Sequence, residues 1–268
     1  MTESQPETPK LDTSVPQTAR IWNYLLGGKD NFAVDREVGD QIIASVPQLA
    51  ENARLSRKYL ARAVRYLAGE AGIRQFLDIG TGLPTADNTH EVAQATAPDS
   101  RIVYVDNDPL VLVHARALLT TAPEGATSYV DADLHDVPAI LESDAVKETL
   151  DFTKPVAVSL IAILQFVVED AEVQRIVDEL MAPLCPGSAL AITAVTAHSE
   201  DAIRGTQEYT ARGIPMKART DEEIEAWFRG LELVEPGVTF VSDWHPAPDA
   251  EQHAPGQVMV KGGVAFKR

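Results

Sequence analysis

Cysteine is all but missing from this chain of 268 residues, where Cys185 stands alone. One thiol excludes an internal disulfide and a cysteine-rich metal site, and it suits a reducing compartment. Basic residues are scarce as well, 23 Lys and Arg against 40 Asp and Glu, which leaves a net charge of −17. A field of that sign repels a polyanion, so nucleic acid is not expected as a partner. No apolar run approaches the roughly 18 residues of a membrane span, and the N-terminus is acidic and polar where an export signal would be basic and then apolar. His135, His245 and His253 lack the close spacing of a metal cluster, so no metal is expected. These absences predict a soluble cytoplasmic protein with no membrane partner.

What is present divides into three stretches. Residues 1–16 are rich in Pro, Thr, Ser, Gln and Glu; they bury too little apolar surface to offset the entropy of ordering, and a disordered tail is expected. Over 17–72 the pattern is helical. Ile21, Trp22, Leu25 and Leu26 recur at helical spacing and stop at Gly27-Gly28, and further helical patterns cover 35–45 and 55–71, which together predict an all-helical front piece acting as a cap or lid. From residue 73 to 268, strand-like runs at 75–79, 101–105, 127–130, 155–161, 188–195, 238–242 and 257–266 alternate with helical ones. That alternation predicts an α/β fold with a mostly parallel sheet and helices on both faces. Asp108-Pro109 and Thr220-Asp221-Glu222-Glu223 read as helix starts, the second as a capping box.

In such sheets ligands collect at the carboxyl ends of the strands. The first strand runs into Asp78-Ile79-Gly80-Thr81-Gly82, where two glycines let a ligand come against the main chain. The second ends in Asp106, placed to accept from both hydroxyls of a ribose, because an ionised carboxylate only accepts. The third ends in Asp131-Ala132-Asp133, and Asp133 suits an exocyclic adenine amine. A dinucleotide fingerprint would carry a third glycine where Thr85 stands, and it would place a pyrophosphate beside Asp78 and Asp87. A ligand with a sulfonium and an ammonium tolerates those carboxylates better, so the charges favour S-adenosylmethionine over NAD.

These residues resemble a known family. Asp78-Ile79-Gly80-Thr81-Gly82, Tyr104-Val105-Asp106-Asn107-Asp108-Pro109 and Asp131-Ala132-Asp133-Leu134 look like the successive cofactor motifs of class I S-adenosylmethionine-dependent methyltransferases. Ala19 to Phe32, with Asn88 to Gln94, resembles more narrowly an S-adenosyl methyltransferase family first catalogued as a domain of unknown function, and the likeness extends over nearly the whole chain after residue 15. The resemblance implies a Rossmann-like seven-stranded methyltransferase sheet whose last strand, ending near Phe266, runs antiparallel, with the front piece over the pocket. It further implies Gly80, Thr81 and Gly82 at the methionine part of the cofactor, Asp106 at the ribose, and Asn107, Asp133 and Leu134 at the adenine. Ala162 and Gln165, at the exit of the fourth strand, would face the methyl. The chain departs from the family at Gln165, where His is frequent, and at Ser56-Arg57, where the family has an Asn-Arg pair.

Methyl transfer asks chiefly that a nucleophile be held in line. A hydroxyl acceptor would call for a general base, for which His198 is the candidate, with Glu200 and Asp201 nearby. Tyr24 and Asn31, beside the flexible Gly27-Gly28, are expected to form a lid on the cofactor, with Trp22 in the core. Tyr209, Arg212 and Arg219 are candidates for acceptor contact. No Asn-Pro-Pro-Tyr run follows the fourth strand, which speaks against amide or adenine N-methylation, and Cys185 precedes the fifth strand, away from a nucleophile's place. The reading is therefore methyl transfer to a small-molecule acceptor. Its rivals are a non-catalytic binder of S-adenosylmethionine or S-adenosylhomocysteine, and an NAD-dependent oxidoreductase resting on the glycine loop alone.

Overall fold

Buried apolar side chains alternate along the strands and so build two cores, one on each face of a single sheet. A computed structural model of the chain describes residues 12–118 and 121–268. Of the tail expected over 1–16, residues 1–11 lie outside the described residues, while the carbonyl of Asp12 accepts from Arg20 at 3.1 Å.

The front of the chain forms α1 (Thr18–Leu25), α2 (Ala33–Ser45) and α3 (Leu49–Gly69). The alternating part then gives β1 (Gln75–Ile79), α4 (Thr89–Thr96), β2 (Arg101–Asp106), α5 (Pro109–Leu118), β3 (Ala126–Asp131), α6 (Val137–Glu142), α7 (Asp144–Thr149) and β4 (Ala157–Ile161). After a 3-10 turn at Leu164–Phe166 come α8 (Asp170–Met181), β5 (Ala189–Val195), α9 (Glu200–Ala211), α10 (Asp221–Ala226), β6 (Leu231–Leu233), β7 (Thr239–Phe240) and β8 (Val260–Lys267). The predicted helix starts are present. Leu110 N–H donates to Asp108 at 2.9 Å, and Thr220 and Glu223 close a reciprocal capping box at the start of α10.

Strand order is β3-β2-β1-β4-β5-β8-β6, with β7 also on β8. The first five strands are parallel and β8 is antiparallel to its neighbours, as the expected methyltransferase sheet requires. The strand count is eight rather than seven. The addition is β6, whose three residues are largely exposed and too short to show a period.

Successive residues of β1 face opposite ways. Leu77 and Ile79 join Val103, Leu160, Ile192 and the buried side of α8, whereas Phe76 joins Ile102, Trp244 and the Tyr59, Leu60, Ala63, Val64 and Leu67 stripe of α3. Helix α3 lies wholly before the division expected at residue 72, yet its apolar stripe covers the sheet while its opening turns reach the front piece. Because strand order reverses between β1 and β4, a crevice opens at their carboxyl ends. No helix among the described residues is long and apolar enough to cross a membrane.

Candidate active site at the strand ends

The loop after β1 is stitched to the end of β2 by main-chain and carboxylate bonds. Gly80 N–H donates to Val105 O at 2.8 Å, and Gly82 N–H donates to Asp106 Oδ2 at 2.8 Å. Both glycines have positive φ, +72° and +64°, a region that side-chain-bearing residues adopt at a cost. A Cβ on Gly80 would stand 2.8 Å from the Ile163 side chain across the crevice, while one on Gly82 would meet no atom within 4 Å. Gly80 is thus required by packing against the β4 exit, and Gly82 borders open space.

Asp106 is 8% exposed. Its second oxygen accepts from Asp108 N–H at 2.9 Å, so two amides fix the carboxylate before any ligand arrives. Burial pushes its carboxyl up to about 6, against the pull of those amides. Asp78 is buried too. Thr89 donates to it at 2.6 Å, and burial raises its carboxyl despite that bond and the nearby Arg57. Asn107 reaches across to Asp133 at 3.1 Å. Asp133 also accepts from the His135 amide and ring.

Arg57, from α3, points at the glycine loop. Its Nη2 donates to the carbonyls of Ala86 and Asp87 at 3.3 and 3.2 Å, its buried Nε has no partner, and burial disfavours its charge. Among the described residues no carboxylate reaches it at ion-pair distance. A small polar crevice between Arg57, Asp78, Thr81, Gly82 and Tyr129 continues from the main cavity, and the Tyr129 hydroxyl is a second unpartnered buried group there. A half-buried cation with a buried, unpartnered Nε and no ion-pair partner suits a ligand carboxylate. With the open space at Gly82 and the pre-fixed Asp106, the residues fit the amino-acid and ribose parts of S-adenosylmethionine.

The main cavity, about 270 Å³, is lined by Asp78, Gly80, Thr81, Gly82, Asp106, Asn107, Asp133, Leu134, Ala162 and Gln165, so ten of the thirteen predicted site residues come together. Ala162 has φ +56°; its amide donates to Thr193 Oγ1 at 2.9 Å and its carbonyl accepts from Gln165 Nε2 at 2.9 Å. The far wall comes from other parts of the chain: Trp22 of α1, Leu49 and Ala53 of α3, Thr206 and Tyr209 of α9, and Ile214 and Met216 after it.

Three predicted residues lie elsewhere. The Tyr24 hydroxyl donates to Asp40 at 2.5 Å, and its ring sits 2.6 Å from where a Cβ of Gly39 would be, so the missing side chain on α2 seats it away from the cavity. Asn31 donates to Asn23 and to the Gly28 carbonyl at 2.9 and 3.0 Å, holding the turn between α1 and α2. Trp22 packs against the Ile21, Leu25 and Ile42 cluster as expected and also lines the cavity, whereas Tyr24 does not. His198 is exposed, its ring edge-on to Phe240 of β7 at 5.5 Å, and it does not line the cavity.

The acceptor candidates divide as well. Tyr209 lines the cavity, Arg212 pairs with Glu208 and Gln41, and Arg219 is fully buried. Arg219 bonds Asp170 at 2.9 Å and the carbonyls of Leu164 and Val167, with its guanidinium 5.1 Å from the Trp227 ring centroid. It holds the β4 exit from behind. Arg20 does the same for the front piece, reaching Asp108 at 3.2 Å and Asp35 at 3.8 Å from a buried position. Arg57 and Trp22 are among the cavity residues that the sequence left without a role there, as are Leu49, Ala53, Thr206, Ile214 and Met216; an arginine on a helix preceding the glycine loop was the available signal for the first.

The sequence profile of the S-adenosyl methyltransferase family matches residues 4–268. A DUF574 family protein from Streptomyces avermitilis MA-4680 is 46% identical, with 96% of this chain and 99% of that chain covered and a TM-score of 0.93. A candidate methyltransferase from Thermobifida fusca YX is 42% identical over 99% of this chain and 100% of that one, at a TM-score of 0.90. Magnesium protoporphyrin IX methyltransferase from Synechocystis PCC 6803, solved with S-adenosylhomocysteine, is 11% identical over 92% and 93% of the two chains at a TM-score of 0.53, a likeness of fold alone. No curated protein matches the chain. The motifs at the strand ends, the sheet order and the full-length match agree, and the chain belongs to the S-adenosyl methyltransferase family.

Proposed function

We propose that this chain transfers a methyl group from S-adenosylmethionine to a small-molecule acceptor, working in the cytoplasm where Cys185 stays reduced. The observation that carries the reading is the Asp106 carboxylate, buried and pinned by the amides of Gly82 and Asp108 at 2.8 and 2.9 Å. Asp106 would take the ribose hydroxyls, and Gly80, Thr81 and Gly82 would line the methionine part with its carboxylate on Arg57. Asn107, Asp133 and Leu134 would hold the adenine, while Ala162 and Gln165 stand at the methyl end. Residues 17–72 would serve as the cover, with Trp22 as the aromatic that reaches inside. When bound, the cofactor supplies a methyl on a sulfonium that is already a good leaving group, so the protein's part is to hold the nucleophile in line and keep water out.

The rival, a binder that does not turn over, draws on the placement of His198 outside the cavity. Calorimetric titration with S-adenosylmethionine, S-adenosylhomocysteine and NAD in parallel tests the cofactor end, and methylated product from an acceptor panel refutes the rival. Micromolar binding of the first two without NAD is expected; binding of NAD alone would overturn the proposal.

A further inference from the structure

Gln165 is 3% exposed, lines the cavity, and sits in the 3-10 turn at the β4 exit. Its amide orientation is dictated by its neighbour. The Ala162 carbonyl only accepts, so the Gln165 NH₂ must face it, at 2.9 Å. That leaves Oε1, buried and without a partner among the described residues. A buried carbonyl oxygen lacking a donor is costly, and here it stands at the methyl end of the site. A donor on a ligand would complete it.

The surrounding wall limits that ligand further. Trp22, Phe166, Tyr209, Ile214 and Met216 supply the apolar and aromatic surface of this end. The one carboxylate there, Asp201, is engaged by Gln48 and Arg204, while Arg57 and Asp78 lie at the glycine loop. No free charge awaits a charged acceptor among the described residues of this wall, and desolvating one without a partner is unfavourable. We infer that the acceptor is a neutral, aromatic small molecule whose nucleophilic O–H or N–H donates to Gln165 Oε1, making Gln165 a positioning residue that selects for that donor.

This inference rests on the proposed methyl transfer and names the substrate class of the same site. A neutral amide oxygen orients the nucleophile without acting as its base. When bound, the cofactor would supply a methyl on a sulfonium: as the acceptor's oxygen or nitrogen took it, the C–S electron pair would stay on sulfur, and the proton held against Gln165 would be lost to solvent after transfer, from the strongly acidic oxonium or ammonium then formed.

The test is a binding experiment on the full chain saturated with S-adenosylhomocysteine, titrated calorimetrically with 2-naphthol, indole, 2-methoxynaphthalene and 2-naphthoate. The hydroxyl and the N–H are expected to bind at least about tenfold more tightly than the methoxy compound, the order expected for leaving one buried acceptor unmade, and the carboxylate is expected not to bind. The tighter of the first two probes identifies the donor atom. In Gln165→Leu, saturated with S-adenosylhomocysteine at whatever concentration the variant requires, the preference for 2-naphthol over its methoxy ether should collapse to within about threefold. Gln165→Met, closer in shape, repeats the comparison where Leu disturbs the fold. Equal binding of the naphthol and its ether, a preference that survives in the variants, tight naphthoate binding, or no probe bound at all would each overturn the inference while leaving the cofactor reading intact. Failure of S-adenosylhomocysteine itself to bind would overturn both.

Discussion

If Asp106 accepts from a ribose, nucleoside affinity must follow its ionisation. The free carboxyl titrates at about 6 because burial outweighs the two amides that hold it, and only its ionised form can accept from both hydroxyls of a diol. It is then about nine-tenths ionised at pH 7 and about one-tenth at pH 5, so affinity should fall about tenfold across that interval, ~1.4 kcal/mol. Adenosine is the proper probe, since it carries the ribose and adenine but nothing that reaches Arg57 or the raised carboxyl of Asp78. Calorimetry at half-unit steps from pH 5 to 7 should show adenosine weakening toward acid, adenine unchanged, and 2′-deoxyadenosine weaker with a shallower slope. Asp106→Asn should flatten the profile and weaken adenosine at pH 7 by ~1.5–3 kcal/mol, the order for charge-assisted bonds. The same ionisation has the opposite sign in the ligand-free fold. A carboxyl raised from the ordinary 3.8 to about 6 favours the native state below 3.8, and that contribution is lost as pH rises through 6, up to ~3 kcal/mol in all. Wild type should therefore lose stability relative to Asp106→Asn between pH 4 and 6 in urea melts. An adenosine profile flat from pH 5 to 7, or one whose slope persists in Asp106→Asn, would refute the assignment.

Arg57→Met should weaken S-adenosylhomocysteine by ~1.5–3 kcal/mol, as expected for a charged hydrogen bond, and leave adenosine unchanged; parallel titrations check this, and equal losses for both would show that Arg57 only shapes the loop. Gly80→Ala and Gly82→Ala share a backbone penalty of ~1–2 kcal/mol, but only the first meets Ile163, so it should lower the urea midpoint more, whereas Gly82→Ala should lose cofactor affinity out of proportion to stability. Removing the buried Arg219 leaves the Val167 carbonyl without a donor among the described residues, while the Leu164 carbonyl keeps the Val167 amide, so Arg219→Met should cost ~1–3 kcal/mol in urea melts. Asp170→Asn, whose carboxylate is half exposed, should cost under ~1 kcal/mol.

Much of this was legible because it is local. The Asp108-Pro109 and Thr220–Glu223 helix starts are short-range capping chemistry, and the acids at the ends of β1, β2 and β3 follow from strand period plus the rule that ligands gather at carboxyl ends. What could not be read depends on how elements dock. Trp22 and Tyr24 are two residues apart on one helix, and which faces the cavity is decided by Gly39, on another helix, leaving room for a tyrosine ring. His198 leaves β5 at the expected place, but Phe240, far along the chain, takes its ring. Arg219 was a candidate for acceptor contact, because nothing near it in sequence announces the carbonyls of the β4 exit that it serves. Strand β6 was missed because its exposed three residues carry no period.

The cavity has two sets of walls drawn from different stretches of chain: the ends of β1 to β3 on one side, and α1, the start of α3, α9 and residues 214–216 on the other. The first set is tied into the sheet by main-chain bonds, so it tolerates little change. The second consists of side chains on helices and a loop outside the sheet's own hydrogen-bonded ladder, and these can be exchanged one at a time while the sheet stays as it is. Descendants of such a chain could therefore drift in what they methylate while keeping their methyl donor, with acceptor choice written in a region that comparisons dominated by the strand-end motifs would overlook.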